Sequence, residues 1–221
     1  MKNITINENN IWELYAPVFS KVTATMQKSL LLHAAINANG SVLDAGTGVG
    51  KLLPYLKANE NVNTVLGIDA NSFMLKESKK YEDENIKTQI GNVIAHEGNY
   101  DTIVSLNVLY TLDDPIKFLE KTYENLNKDG KFILASINKN MDMKKLTNII
   151  DLEFNSSVND EFKEDYNLFK ECNYYLTSQT QFKPKLFNMD EMVPILEKIG
   201  YRVNHTQNDY LDTLFTIIAT K

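Results

Sequence analysis

The stretch Val42-Leu43-Asp44-Ala45-Gly46-Thr47-Gly48-Val49-Gly50 decides the fold. An apolar run ends in an acid and passes into a turn with glycine at every second position. Glycine lets the backbone bend sharply after a strand and lie against a ligand, because no Cβ stands in the way. A second apolar run, Val65-Leu66-Gly67-Ile68-Asp69, ends in another acid about one βαβ half-unit later. At the tip of the next parallel strand, that acid is placed to accept hydrogen bonds from a ribose. Together the two runs describe a site for a nucleoside cofactor.

The spacing narrows the choice of nucleoside. The dinucleotide fingerprint is G-x-G-x-x-G, whereas this turn reads G-x-G-x-G with Asp44 two residues ahead of it. A carboxylate there repels a pyrophosphate and suits a ligand that carries an ammonium group. A P-loop is excluded as well. Gly46 stands too close to Gly50-Lys51, and Leu52 occupies the place of the magnesium-binding Ser or Thr. These residues resemble motif I and the following acidic strand end of class I S-adenosylmethionine-dependent methyltransferases.

The chain has 221 residues, of which 43% are hydrophobic and 24% charged, enough for a single α/β domain over 1–221 with a sizeable core. A net charge of −6 steers nothing towards nucleic acid, and Arg202 is the only arginine available to grip phosphates. Cys172 has no partner for an intramolecular disulfide. His33, His96 and His205 show no metal-ligand spacing, so no metal is expected. No leader-like segment opens the chain, and no apolar run approaches the ~20 residues that span a bilayer. A cytoplasmic protein with no stable membrane insertion is the expectation; the oligomeric state is not legible.

Outward from the glycine turn, the periodicity reads as strands alternating with helices. Apolar residues from Ile11 to Ala34 recur at helical spacing, with Pro17 expected to break or kink the segment, and residues 1–40 form a helical lid. Strands are predicted at 42–44, 64–69, 87–90, 100–106 and 131–136, with helices at 50–58, 72–81 and from Asp113-Asp114-Pro115 to Leu126. Regular alternation pauses over 138–187, where Phe154, Phe162, Tyr166, Phe169, Tyr174, Tyr175 and Phe182 mark an inserted helical cap rather than a linker. A helix at 189–199 and an antiparallel hairpin with its turn at Asn208-Asp209 close the chain. Nearly all-apolar strands imply a doubly wound, mostly parallel sheet covered on both faces. The order matches the seven-stranded Rossmann-like methyltransferase fold from Ser41 to the C-terminus, with the cap inserted after strand five.

The resemblance implies roles residue by residue. S-adenosyl-L-methionine is the cofactor and S-adenosyl-L-homocysteine the product. Asp44 orients the methionyl ammonium, Gly46, Thr47 and Gly48 approach the methionyl and ribose part, and Asp69 accepts from the ribose hydroxyls. Ala70, Asn71 and Met74 lie near the adenine edge or face, and Val93 is a further cofactor-binding candidate. Asn92 stands where relatives carry an acid; it accepts from the adenine amino group or simply forms a turn. Asn107 opens the segment Asn107-Val108-Leu109-Tyr110, which faces the methionine end and the acceptor. Tyr110 is a candidate catalytic residue, orienting the acceptor, or a packing residue against the cap; His33 is a candidate base if its helix faces the site. Tyr15 is expected near the methionyl tail. Asp113-Asp114 reads as a helix cap rather than a metal site.

Three functions fit these residues. The first is methyl transfer to an N, O or C atom of a small, partly apolar or aromatic metabolite. The second keeps the cofactor but takes a lipid headgroup or quinone, with Trp12, Phe19 and Leu30 resting on a membrane. The third is a cofactor-binding protein without turnover.

Overall fold

Along strand β1 (Gly40–Ala45), successive side chains go to opposite faces of a sheet, and each face has its own core. Leu43 joins a buried cluster with Ile103, Phe118, Phe132, Leu134 and Phe215, while Val42 joins Ala34, Leu53, Leu56, Val104 and Ile133. The computed structural model describes residues 5–155, 160–178, 183–209 and 212–221. Phe182, read as part of the cap, lies outside them.

The chain runs α1 (Ile11–Lys21), α2 (Thr25–Asn37), β1, α3 (Leu53–Lys57), β2 (Val62–Asp69), α4 (Ser72–Ser78), β3 (Ile86–Ile90), β4 (Tyr100–Leu106), α5 (Pro115–Asn125) and β5 (Leu126–Ile137). It continues through α6 (Met143–Asn155), α7 (Asp160–Ser178), α8 (Met189–Ile199), β6 (Arg202–Asp209) and β7 (Leu214–Thr220). The seven strands are ordered β3-β2-β1-β4-β5-β7-β6. The β1–β5 pairings are parallel, and β7 runs antiparallel to both β5 and β6. The order reverses direction between β1 and β4. In open α/β sheets, ligands bind outside the carboxyl ends of the strands at such a reversal.

Local chemistry explains the element ends. The Asp114 side chain accepts from the Lys117 amide at 3.0 Å, and Pro115 opens α5. Asn188 and Glu191 form a reciprocal capping box on α8, which Gly200 ends at φ 123°. Two expectations need correction. Pro17 starts no new helix but lies inside α1, and the helical segment breaks at 22–24, where Val22 and Ala24 sink into a cluster with Phe154 and Tyr166. Asn208 and Asp209 belong to β6, paired with Phe215 and Leu214, so the hairpin turn falls later. Cross-strand pairing outweighed the local turn propensity of the Asn-Asp step.

Helices α6 and α7 occupy the inserted segment and pack on the N-terminal helices rather than on the sheet. Phe154, Tyr166, Phe162 and Phe169 form one small core with Val22, Ala24 and Met26. The Glu153 carboxylate accepts from the Thr25 amide at 2.9 Å and its hydroxyl at 2.8 Å, pinning the start of α2 to the cap.

Phe118 is fully buried on α5, its ring 6.4 Å from that of Phe132 on β5. Phe118→Ala is expected to cost about 3–5 kcal/mol of unfolding free energy in urea denaturation, through lost apolar burial and the cavity left behind.

Candidate active site

The cleft at the β1/β4 reversal begins with the turn after β1. Amides of Gly46 and Thr47 donate to the Ile68 carbonyl at 2.8 and 2.9 Å, folding the turn over the end of β2. Its glycines serve different purposes. A Cβ on Gly46 (φ 85°) would stand 2.2 Å from Val108 Cγ2, so that glycine packs against the segment after β4. A Cβ on Gly48 (φ 55°) would meet only Met74 Cε at 3.5 Å. The bare backbone at Gly48 therefore faces open space, the shape a closely approaching ligand needs.

Asp69 ends β2, and both its carboxylate oxygens are engaged. Oδ2 accepts from the Gly48 amide and Oδ1 from the Asn71 amide, each at 2.8 Å. Burial raises its pKa, and these two bonds oppose the rise. Asp44 is 4% exposed, with Oδ2 accepting from the Thr47 hydroxyl at 2.7 Å. Burial pushes its carboxyl up to about 7; the Thr47 bond opposes this and the charge of Asp69 adds to it.

A cavity of about 980 Å³ opens over this floor. Tyr15, Asp44, Gly46, Thr47, Gly48, Asp69, Ala70, Met74, Asn92, Val93, Asn107 and Tyr110 all line it. Asn92 is exposed, and its Oδ1 accepts from the Ile94 amide at 2.9 Å, which is the turn-forming bond. Asn107 has left-handed backbone, φ 60°, and its Oδ1 is buried with no hydrogen-bond partner among the described residues. Asp113 lines the cavity while Asp114 caps α5, and no group of three or more metal-ligating side chains occurs among the described residues.

His33 is the residue that the structure does not bring to the cleft. It is absent from the cavity wall, and its ring lies 5.9 Å from that of His205 on β6. The base expected there is corrected on that ground: α2 carries this position over the β6 side of the sheet.

The far wall comes from α1 and α7. Tyr15 stacks on Phe19 at 5.1 Å and on Phe169 at 5.8 Å, and Trp12 stands edge-on to Tyr15 at 5.9 Å. Trp12 and Phe19, read from sequence as membrane-facing in one hypothesis, thus line the cavity. No helix among the described residues is long and apolar enough to cross a membrane. Burial pushes the Tyr110 phenol up to about 12 and raises Tyr15 further, with Tyr110 and Cys172 adding to the rise at Tyr15. Both phenols stay protonated at neutral pH and can donate hydrogen bonds, but neither is a base. Sequence reasoning missed Lys51 and Gln27, which also line the cavity; the one signal was a lysine placed directly after the turn.

The family model of a methyltransferase domain matches residues 19–206. The chain belongs to the class I S-adenosylmethionine-dependent methyltransferase family. No curated protein matches it. Among solved structures, this methyltransferase resembles an S-adenosylmethionine-dependent methyltransferase from Aquifex aeolicus, with 19% identity, coverage of 98% of this chain and 99% of that one, and TM-score 0.60. Magnesium protoporphyrin IX methyltransferase from Synechocystis PCC 6803, solved with S-adenosylhomocysteine bound, is 17% identical, with coverage of 99% and 90% and TM-score 0.59. A further methyltransferase, from Mesorhizobium loti, is 12% identical, with coverage of 90% and 98% and TM-score 0.62. At these identities the likeness establishes the shared fold.

Gly48→Val places a β-branched side chain in left-handed backbone and in the open cleft. The expected result is a loss of about 1–2 kcal/mol in stability by thermal denaturation, with S-adenosylhomocysteine binding abolished in calorimetry. The Asp44 carboxyl, at about 7 in the free protein, must be charged to hold a ligand ammonium. Affinity for S-adenosylhomocysteine should therefore climb from about pH 5 to about pH 7 as that proton is lost, and Asp44→Asn should flatten this limb.

Proposed function

We propose that the protein transfers the methyl group of S-adenosyl-L-methionine to an N, O or C atom of a small, partly apolar or aromatic metabolite. The observation that carries this reading is the open cleft along Gly48, flanked by Asp44 and Asp69 and roofed by Tyr15 and Phe19, on which Phe169 stacks. The residues fit the cofactor. A Cβ at Gly48 would enter the space that the nucleoside needs, Asp69 stands at the ribose position, and Asp44 is a buried carboxyl paired with no cation among the described residues. When bound, the cofactor supplies an electrophilic methyl group on a sulfonium.

The chain's own residues then have a positioning task. Asp44 orients the ammonium end, and Asp69 receives ribose hydroxyls on the lone pairs that the Gly48 and Asn71 amides leave unused. Met74 and Val93 supply apolar surface for the base. Helix α1 acts as a lid, and with α7 it excludes water from the acceptor end through the Tyr15–Phe19–Phe169 stack. Tyr110 and Tyr15 donate hydrogen bonds that orient the acceptor atom, leaving its lone pair free for in-line attack. With His33 off the cavity wall and both phenols protonated, the reading favours an acceptor that needs no prior deprotonation, such as an amine or an aromatic nitrogen, or one that loses its proton to solvent after transfer.

Release of S-adenosylhomocysteine on incubation with arylamines, N-heterocycles and phenols tests the reading. Turnover with at least one class is the expected result. Tight cofactor binding with no product from any class would identify a binding protein instead, and stabilisation by NAD in place of S-adenosylmethionine would overturn the cofactor assignment. Asp69→Ala should weaken cofactor binding by about 1.5–3 kcal/mol, roughly 10- to 150-fold in Kd, while the variant still melts cooperatively. Unchanged affinity in calorimetry would remove Asp69 from the site.

A further inference from the structure

Lys51 directly follows the glycine turn and is 9% exposed. Its Nζ donates to the Val22 carbonyl at 2.6 Å and to Gln27 Oε1 at 3.1 Å, and lies 3.6 Å from the centroid of the Phe19 ring. Each of these partners is neutral. No carboxylate among the described residues forms an ion pair with it. Burial lowers the amine to about 7, and the charge of Lys80 pushes in the same direction. A buried amine without an anion is an incomplete arrangement, because desolvation is unfavourable and its neutral partners repay only part of it.

The same cavity wall holds the converse. Asp44 is a buried anion whose hydrogen-bond partner, Thr47, is neutral. Asp44 and Lys51 are not paired with each other, since neither has the other among its partners. One cavity thus buries a carboxyl and an amine, neither paired with an opposite charge among the described residues, which is complementary to a ligand bearing charges of both signs. An ammonium Nζ carries three N–H donors, and Val22 and Gln27 take two of them. Beyond these two the amine has, among the described residues, only the Phe19 ring face, a neutral contact that a ligand carboxylate outcompetes.

We propose that Lys51 Nζ is the docking point for a ligand carboxylate in this cavity, acting opposite the ammonium-binding Asp44. The inference rests on the cofactor reading above and deepens it. Two sources share the chemistry: the methionyl carboxylate of the cofactor, or a carboxylate on the acceptor. Val22 lies at the break between α1 and α2 and Gln27 in the first turn of α2, so the same amine that receives the carboxylate also holds the lid at its joint. The break at 22–24 has a use on this account: it frees the Val22 carbonyl to face the cavity lysine.

The test compares S-adenosylmethionine with decarboxylated S-adenosylmethionine, which keeps the sulfonium and the amine and lacks only the carboxylate. Affinities are measured by calorimetry on the wild-type protein and on Lys51→Met, with 5′-methylthioadenosine as a probe of the nucleoside site alone. Benzoate is titrated with and without S-adenosylhomocysteine, as a carboxylate on a flat apolar ring. If the cofactor supplies the carboxylate, the wild type prefers S-adenosylmethionine about 10-fold or more, Lys51→Met brings the ratio to about 1, and 5′-methylthioadenosine binds both proteins alike. If the acceptor supplies it, the wild type binds both cofactor forms equally, and Lys51→Met weakens benzoate about 10-fold. A preference that survives Lys51→Met, or no preference together with no Lys51-dependent benzoate binding, overturns the proposal. The wild-type comparisons need no variant, so a ratio near 1 without benzoate binding is decisive even if Lys51→Met fails to fold. Failure of every nucleoside to bind sinks the cofactor reading separately, and benzoate on the free protein then decides Lys51.

Discussion

The hydrogen bonds from the Gly48 and Asn71 amides to the two oxygens of Asp69 hold the whole site in place. One carboxylate at the tip of β2 thereby fixes both the turn after β1 and the entry to α4. The Ile68 carbonyl, one residue earlier, holds Gly46 and Thr47, so three successive amides of the turn are tied to the end of the neighbouring strand. Rigid backbone tied in this way costs no reorganisation when a ligand arrives. It also explains why the glycines are not equivalent. Gly46 and Gly50 are pressed against Val108 and Ser78, while Gly48 alone of the three opens into the cleft.

Charge is distributed in the cavity at a cost to the free protein. Asp44, Asp69 and Lys51 are buried to different degrees, and burial is the leading cause of the pKa shift of each. Stability alone would favour neutral residues here. Perturbed groups gathered in one cleft are the mark of a site built for a charged ligand, whose arrival supplies the missing partners. The tyrosines follow the opposite logic. Burial keeps Tyr15 and Tyr110 protonated, so each can donate a hydrogen bond into the cavity.

The acceptor end is assembled from distant parts of the chain. The cap helices share a core with the break between α1 and α2, through Phe154, Tyr166 and Val22, and Glu153 caps the start of α2. The sheet end supplies the floor of the cleft, and this second, smaller core backs its far wall. The Tyr15–Phe19–Phe169 stack joins α1 to the cap helix α7.

The sequence by itself determined the parts of this protein that depend on neighbours in the chain. Two apolar runs ending in Asp44 and Asp69, a glycine turn, and Asp114-Pro115 at a helix start were legible because strand alternation, backbone freedom and capping act over a few residues. Tertiary structure decided what depends on partners far along the chain. It set His33 beside His205 and away from the cleft, drew Asn208 and Asp209 into β6, and moved the helix break from Pro17 to the residues that meet the cap. It also enclosed Lys51 among Val22, Gln27 and Phe19, which lie 24 to 32 positions earlier in the sequence. Local pattern shows which residue types a segment carries; the face each one presents and the partner it meets are fixed only when burial of the two sheet faces and of the cap brings the segments together.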